Sequence, residues 1–332
     1  MEVGFNRLMV AGFHKEKTSA ARSFRQDVIN GLKSVPKRLQ SKYFYDDAGD
    51  RLFQDIMAMP EYYLTDAELE IFRDKTALLS QGICFEDTAF DLIELGAGDG
   101  VKSRHLLQHL SDTGADFRYM PVDISGNILD ILRENIEEAV PGLEMMCLQG
   151  EYFEMLEQAC AASGRQKVVM ILGGNIGNME KKDSYEFCLK IRQILSPGDR
   201  VIIGFDLKKD PFIILGAYND PSGITAAFNL NLLTRINREL DAGIDVAGFQ
   251  HYQTYDPLSG ACRSFLVSTR AQDIEIDGET ISFEKGESIY MEISQKFSRS
   301  DIAILALKSG FVPVSEVMDS EQYFVDVIWQ VA

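Results

Sequence analysis

The stretch Asp91-Leu-Ile-Glu-Leu-Gly-Ala-Gly-Asp-Gly-Val-Lys102 decides how this chain is read. A short apolar run over 90–93 leads into Glu94-Leu-Gly96-Ala-Gly98-Asp-Gly100, and helical spacing follows over 102–110. A buried strand that turns through glycines into a helix brings bare backbone N–H groups to the crevice at the strand's carboxyl end, where a nucleotide-like ligand can lie. The dinucleotide fingerprint G-x-G-x-x-G is not met: the third glycine comes one residue early and Val101 stands in its place. Tyr119-Met-Pro-Val-Asp123 reads as the next strand, with an acid at its tip placed for ribose hydroxyls, which suits several nucleotide ligands. A glycine turn with no ligand is the plain alternative, and the rest of the chain argues against it.

A length of 332 residues suits two domains. The net charge of -18, from 51 acids against 33 bases, argues against a nucleic-acid backbone or an anionic membrane surface as partner and leaves a small substrate. Cysteines at 84, 147, 160, 188 and 262 are scattered and never at ligand spacing, so they read as reduced thiols rather than a disulfide frame or a metal site. No window reaches the ~18 uninterrupted apolar residues of a membrane span, and a cytoplasmic monomer is expected. His105-Leu-Leu-Gln-His109 lacks the glutamate of a zinc hydrolase and reads as ordinary helix surface.

Residues 18–34 carry apolar positions at helical spacing, with Phe24, Val28, Ile29 and Leu32 on one side. A second helix is expected over 52–59. Thr65-Asp-Ala-Glu68 reads as a capping box, which predicts a helix from about 66 to 80. From there strands at 90–95, 117–122, 143–149, 167–173 and 201–206 alternate with helices at 102–111, 127–137, 152–162 and 182–195. Such alternation implies an α/β fold whose parallel sheet is covered on both faces. Residues 209–296 differ in character: 228–240 reads as a helix, while 262–270, 273–284 and 289–297 alternate as antiparallel strands. The tail reads as a helix, Arg299–Lys308, followed by two strands. The expected organisation is a sheet domain over 66–208 and 297–332, with 1–65 and 209–296 forming a second, α+β domain.

Glu94-x-Gly96-x-Gly98-x-Gly100 is similar to the first motif of the S-adenosylmethionine (SAM) methyltransferases, and a reversed strand pair closing the sheet is a habit of that class. Further segments point to one family within it. They are Lys42-Tyr-Phe-Tyr-Asp46, Leu52-Phe-Gln-Asp-Ile56, Pro60-Glu-Tyr-Tyr63, Leu172-Gly-Gly-Asn-Ile-Gly-Asn178, Gly204-Phe-Asp-Leu-Lys-Lys-Asp210, the run 217–229, Asn237-Arg-Glu-Leu240 and Glu292-Ile-Ser-Gln-Lys-Phe297. In order and content the chain resembles the histidine-specific N-alpha-methyltransferases of ergothioneine biosynthesis, which trimethylate the α-amino group of L-histidine to hercynine. The resemblance implies a class I SAM-methyltransferase (Rossmann-like) fold, mostly parallel with a reversed C-terminal strand, beside an α+β substrate domain. It also implies SAM as methyl donor, S-adenosylhomocysteine as product and a free amino acid as partner.

Carried over residue by residue, the resemblance places the cofactor at Glu94, Gly96 and Gly98, with Lys102 beyond them, Asp123 at the ribose, and Glu151 and Tyr152 where the family has Asp-Phe near the adenine. For the amino acid it implies Tyr62 and Tyr218 near the carboxylate, Asn178 near the amine, and Glu292 with Ser294 on the imidazole. Tyr45 also falls in the pocket, and Tyr45 with Asn178 are the candidate catalytic residues. Two implied substrate-binding positions depart from the family: Ser264 replaces a methionine lining the side-chain end of the pocket and Asn175 a threonine, both near the imidazole or amine. Exchanging a thioether for a hydroxyl opens space and adds polarity, which would admit a different side chain.

The expected chemistry is in-line attack by a neutral amine on a sulfonium methyl, needing no metal, with proximity and orientation contributing up to about 7–11 kcal/mol. An α-amine with a reference pKa of about 7.7–8.0 is partly neutral near pH 7. The growing cation is expected against the faces of Tyr45, Tyr62 or Phe228, at ~0.5–2 kcal/mol. One rival is a SAM methyltransferase for another amino acid or small amine. The other is a non-catalytic binding protein on the SAM fold, which would have no need to keep cofactor and substrate groups together. An NAD-dependent oxidoreductase stands behind both.

Overall fold

The computed structural model describes residues 22–85 and 88–332; of the helix expected over 18–34, residues 18–21 lie outside the described residues. In chain order come α1 (22–33), β1 (Lys37–Arg38), α2 (Asp47–Met57), α3 (Tyr63–Asp74), α4 (Thr76–Ile83), β2 (Phe90–Leu95), α5 (Ser103–Asp112), β3 (Phe117–Asp123), α6 (Gly126–Ala139), β4 (Leu148–Gln149), α7 (Tyr152–Ala161), β5 (Gln166–Ile171), α8 (Lys181–Ile194) and β6 (Arg200–Asp206). Then follow α9 (Pro211–Tyr218), α10 (Ile224–Leu240), β7 (Phe249–Asp256), β8 (Ala261–Ser268), β9 (Gln272–Ile276), β10 (Glu279–Phe283), β11 (Ser288–Gln295), α11 (Arg299–Lys308), β12 (Phe311–Met318) and β13 (Phe324–Val331). They form two compact units. One comprises Tyr63–Asp210, Asp256–Ala261 and Ser294–Ala332; the other comprises the described residues up to Tyr62, with Pro211–Tyr255 and Cys262–Ile293.

The larger unit is built on a seven-stranded sheet of order β12-β13-β6-β5-β2-β3-β4. β2, β3, β4, β5 and β6 run parallel, and β13 runs antiparallel between β6 and β12. This is the class I SAM-methyltransferase arrangement, with its reversed C-terminal strand. Helices on both faces make the strands apolar on both sides. In β2, Ile93 and Leu95 join a core with α7, α8 and α11, whereas Phe90 and Leu92 join the core with α3, α4, α5 and α6. The chain leaves β2 toward β3 and β4 and returns to set β5 on the other side of β2. At that reversal the loops from neighbouring strand ends diverge and open a crevice.

Thr65-Asp-Ala-Glu68 is not a capping box. Leu64, Ala67 and Ile71 are already a buried stripe, so α3 begins at Tyr63 and Glu68 lies inside the helix. Both of its carboxylate oxygens accept the Gly173 N–H, at 2.8 and 2.9 Å. The helix expected over 66–80 also breaks at Lys75, giving α3 and α4. Of the strand expected over 143–149, only Leu148–Gln149 pairs continuously, with an isolated bridge from Tyr119 to Met145.

In the smaller unit a four-stranded sheet has the order β1-β11-β8-β7. The single strand expected over 273–284 is a hairpin of β9 and β10, because Asp277 and Gly278 both take positive φ (53° and 76°), the backbone of a tight primed turn. Phe44, Phe228, Leu232, Ile289 and Met291 belong to its core. Asp46 caps α2 by accepting the Gly49 N–H at 2.8 Å and accepts the Asn231 amide of α10 at 2.8 Å, so one carboxylate joins two helices. Among the described residues no helix is long and apolar enough to cross a membrane.

Gly204 of β6 lies under Glu68 and Phe324: a Cβ there would sit 2.6 Å from Glu68 Oε1 and 2.8 Å from the Phe324 ring. Both obstacles are buried and held. Gly204→Ala is expected to lower stability by about 1–3 kcal/mol, as overpacking does, read as a drop in the urea midpoint at unchanged slope.

Candidate active site

The turn after β2 is fixed from both sides. Gly96 N–H and Ala97 N–H donate to the Val122 carbonyl of β3, at 2.8 and 3.1 Å. Gly96 holds φ at 72°, and a Cβ there would lie 2.4 Å from the Tyr152 hydroxyl, so only glycine fits. A Cβ on Gly98 would meet nothing within 4 Å, which leaves the backbone bare on that side. Asp123, at the tip of β3, accepts the Gly98 N–H at 3.3 Å and the Ser125 N–H at 3.0 Å, tying the two strand ends together. Glu151 is the exposed residue that opens α7 just before Tyr152.

Beneath this turn lies a polar layer. Glu94 is buried and accepts from the Tyr119 hydroxyl at 2.5 Å, so it supports the turn from below. Lys102, one turn further on, pairs with Glu68. The same Glu68 holds the Gly173 N–H, which begins the turn after β5.

That second turn carries both asparagines. Gly173 and Gly174 take φ of 73° and 64° and lead into a single helical turn, Asn175–Asn178, anchored by buried Ile176. The Asn175 amide nitrogen lies 3.7 Å from the Cβ position of Gly96 and 3.7 Å from that of Gly173, so it faces both turns. Asn178 is exposed at the end of the turn. Gly177 lets this turn approach the chain just past Ser294, since a Cβ there would come within 2.9 Å of the Gln295 carbonyl. Beside it, Lys296 donates to Ser294 Oγ at 2.7 Å and pairs with Asp206 at 2.6 Å.

A glycine turn left open on the Gly98 side, an acid at the tip of β3, and Tyr152, Asn175 and Lys102 around the same turns fit the nucleoside and amino-acid ends of SAM. In the smaller unit, Tyr62 and Tyr218 meet edge to face, ring centroids 6.0 Å apart. Tyr45 packs in the same manner against Phe53 and Phe228, at 5.6 and 5.8 Å. Burial alternates along β11, with Tyr290, Glu292 and Ser294 half-buried between buried neighbours. Ser264 is buried, and its hydroxyl donates to Gln253 Oε1 at 2.6 Å.

The chain matches, over residues 24–331, the family described as histidine-specific methyltransferase, SAM-dependent. The chain belongs to this family. It is 35% identical over 293 residues to histidine N-alpha-methyltransferase from Mycobacterium tuberculosis, covering 88% of this chain and 89% of that protein. The Mycolicibacterium smegmatis protein of the same name is 34% identical, covering 88% of this chain and 90% of its own. Ergothioneine biosynthesis protein 1 of Neurospora crassa is 30% identical over 302 residues, which are 88% of this chain and 33% of that larger protein. This chain is therefore a SAM-dependent histidine N-alpha-methyltransferase by family.

Sequence reasoning passed over Glu68 and Lys296. Glu68 was hidden by its resemblance to a capping residue; the sign that it is buried was the stripe beginning at Leu64. Lys296 lay in a strand-like run beside Phe297, where a fully buried lysine has no pattern of its own.

Burial pushes the Glu94 carboxyl up to about 7, against the opposing hydrogen bonds of Tyr119 and Ser103. The folded value exceeds the ordinary 4.5. Its contribution to stability is therefore complete at pH below about 4.5 and is lost as pH rises through about 7. Glu94→Gln removes this titration. Its stability relative to wild type should rise by about 3 kcal/mol between pH 4 and pH 8, measured by urea denaturation. Glu68→Gln keeps an acceptor for Gly173 but loses the charge opposite Lys102, and should weaken S-adenosylhomocysteine binding about tenfold by calorimetry.

Proposed function

We propose that this enzyme methylates the α-amino nitrogen of free L-histidine three times in succession, yielding trimethylhistidine, the chemistry that serves ergothioneine biosynthesis. The observation that carries this reading is the family match over 24–331, which contains every residue assigned here. We assign the cofactor to the unit of the seven-stranded sheet, with Gly96 and Gly98 along its backbone, Asp123 on the ribose, Glu151 and Tyr152 toward the adenine, and Lys102 with Asn175 toward its amino-acid end.

Bound SAM supplies an electrophilic sulfonium methyl. The protein's part is to hold the amine in line with it. Tyr62 and Tyr218 hydroxyls donate to the substrate carboxylate, and the Asn178 amide oxygen accepts a hydrogen bond from an amine N–H so that the nitrogen lone pair points forward. Glu292 accepts the imidazole N–H and Ser294 holds the other ring nitrogen. Tyr45 and Phe228 present aromatic faces to the nitrogen as it gains methyl groups and charge, worth ~0.5–2 kcal/mol. The amine enters neutral, which its reference pKa of about 7.7–8.0 allows without a strong base. We place this work in the cytoplasm, as a monomer; the cysteines, which form no disulfide, suit a reducing compartment.

Mass spectrometry of the protein incubated with SAM and a panel of amino acids tests the reading. Trimethylated histidine should dominate, and Tyr62→Phe and Asn178→Ala should each lower kcat/KM for histidine by at least about tenfold, the loss expected of one orienting hydrogen bond. Methylation of another amino acid in preference to histidine would overturn the substrate and leave methyl transfer standing.

A further inference from the structure

The Tyr152 hydroxyl occupies the space that a Cβ on Gly96 would need, so a side chain rooted at the start of α7 ends over the turn that follows β2. The Asn175 amide nitrogen lies 3.7 Å from that same Cβ position and 3.7 Å from the one on Gly173, and the Lys102 ammonium lies 3.6 Å from the latter. Hydroxyl, amide and ammonium thus stand in a row across the turns after β2 and β5, all within the larger unit. Tyr152 and Asn175 are half-buried, and among the described residues neither the hydroxyl nor the amide group has a hydrogen-bond partner. Burial, and then the charges of Asp123 and Glu151, push the Tyr152 phenol above its ordinary range, so it keeps its proton and stays a donor.

We propose that the Tyr152 hydroxyl and the Asn175 amide together hold the carboxylate of the cofactor's amino-acid tail, a contact that the phenylalanine of the family pattern cannot make at position 152. The proposal rests on the cofactor lying along the Gly96 turn. A protonated phenol, an amide nitrogen and an ammonium all donate, and a carboxylate is the group of the tail whose two oxygens accept several donors at once; the α-ammonium of the tail has donors only. Lys102 does not bring a full charge to this task, because Glu68 pairs with it and also takes the Gly173 N–H on both oxygens. Two neutral donors beside the lysine supply the hydrogen bonds that its ion pair has already engaged, and hydrogen bonds to a charged group are the stronger kind.

The test is calorimetric affinity for two compounds in wild type, Tyr152→Phe and Asn175→Ala. The compounds are S-adenosylhomocysteine and its decarboxylated analogue, in which the tail ends at the amine. Each variant should bind S-adenosylhomocysteine about tenfold more weakly than wild type, the loss of one hydrogen bond to a charged group, and should bind the analogue within about twofold of wild type. Undiminished binding of the analogue also shows that the unit is intact. Equal losses on both compounds would move these side chains to the ribose, the sulfur or the amine and overturn the proposal. Full affinity of Tyr152→Phe for S-adenosylhomocysteine would overturn it as well.

Asp123→Asn separates this contact from the cofactor placement on which it depends. Asparagine keeps an acceptor for the Gly98 N–H but loses the carboxylate assigned to the ribose, so both compounds should bind about tenfold more weakly. Unchanged affinity for both in that variant would fail the placement of the cofactor and the proposal with it. Loss in Asp123→Asn, together with equal losses on both compounds in Tyr152→Phe, fails only the carboxylate contact. Should Asn175→Ala bind neither compound, Tyr152→Phe decides alone, since it keeps the ring and removes a single oxygen.

Discussion

The turns that follow β2 and β5 in the larger unit depend on one buried carboxylate. Glu68 is 1% exposed, pairs with Lys102 and takes the Gly173 N–H on both oxygens. Lys102 belongs to the turn after β2 and Gly173 to the turn after β5, so the two walls of the crevice are set by the same group. An unpaired charge at this depth would be strongly destabilising; partners from two loops offset that penalty only while both loops keep their positions. The carboxylate therefore converts a cost of burial into a constraint on geometry. Its surroundings have adapted: Gly204 leaves room for it, and Asp326, opposite Gly204 in the β13–β6 register, is completely buried beside it. Burial first, and then the charge of Glu68, push the Asp326 carboxyl well above the usual carboxylate range, so the protonated form is favoured and the cluster avoids a second bare anion.

A second cluster of the same kind sits at the end of β6, where Asp206 gathers Lys209, Lys296 and the Tyr63 hydroxyl. Tyr63 opens α3 and Glu68 lies five residues later in the same helix, so a single helix contributes to both clusters. Lys296 follows β11, and its backbone is held too: its N–H donates to Gly260 at 2.7 Å, and Phe297 N–H donates to Asp206 at 2.9 Å. The chain leaving β11 is thus pinned to the sheet by main chain and side chain together.

The parts of this molecule that were legible in the sequence are those whose signal is local. The β2 turn announces itself because a strand, three glycines and a helix are contiguous, and the alternation down to β6 follows from periodicity. The reversed strand pair is visible in two apolar runs after a helix. What was not legible depended on partners far along the chain. Glu68 looks like a cap because the sequence shows Thr65 three residues before it and does not show Gly173. The Asp277-Gly278 turn was a local signal that strand-like alternation on both sides concealed. α9 has apolar residues on nearly every side, Phe212 through Leu215, so it offered no helical stripe, and β7 is too polar, Gln250 through Tyr255, to stand out as a strand.

The two departures from the family pattern differ in what they do. Ser264 exchanges a thioether for a hydroxyl, but that hydroxyl is spent on Gln253, whose amide nitrogen is itself 3.0 Å from the Cys262 sulfur. A buried donor already matched to an acceptor does not solicit a polar ligand, and removing its partner would cost more than the serine does. The extra polarity is absorbed within β7 and β8. Asn175 is the opposite case, because its amide nitrogen faces the Gly96 and Gly173 turns of the larger unit.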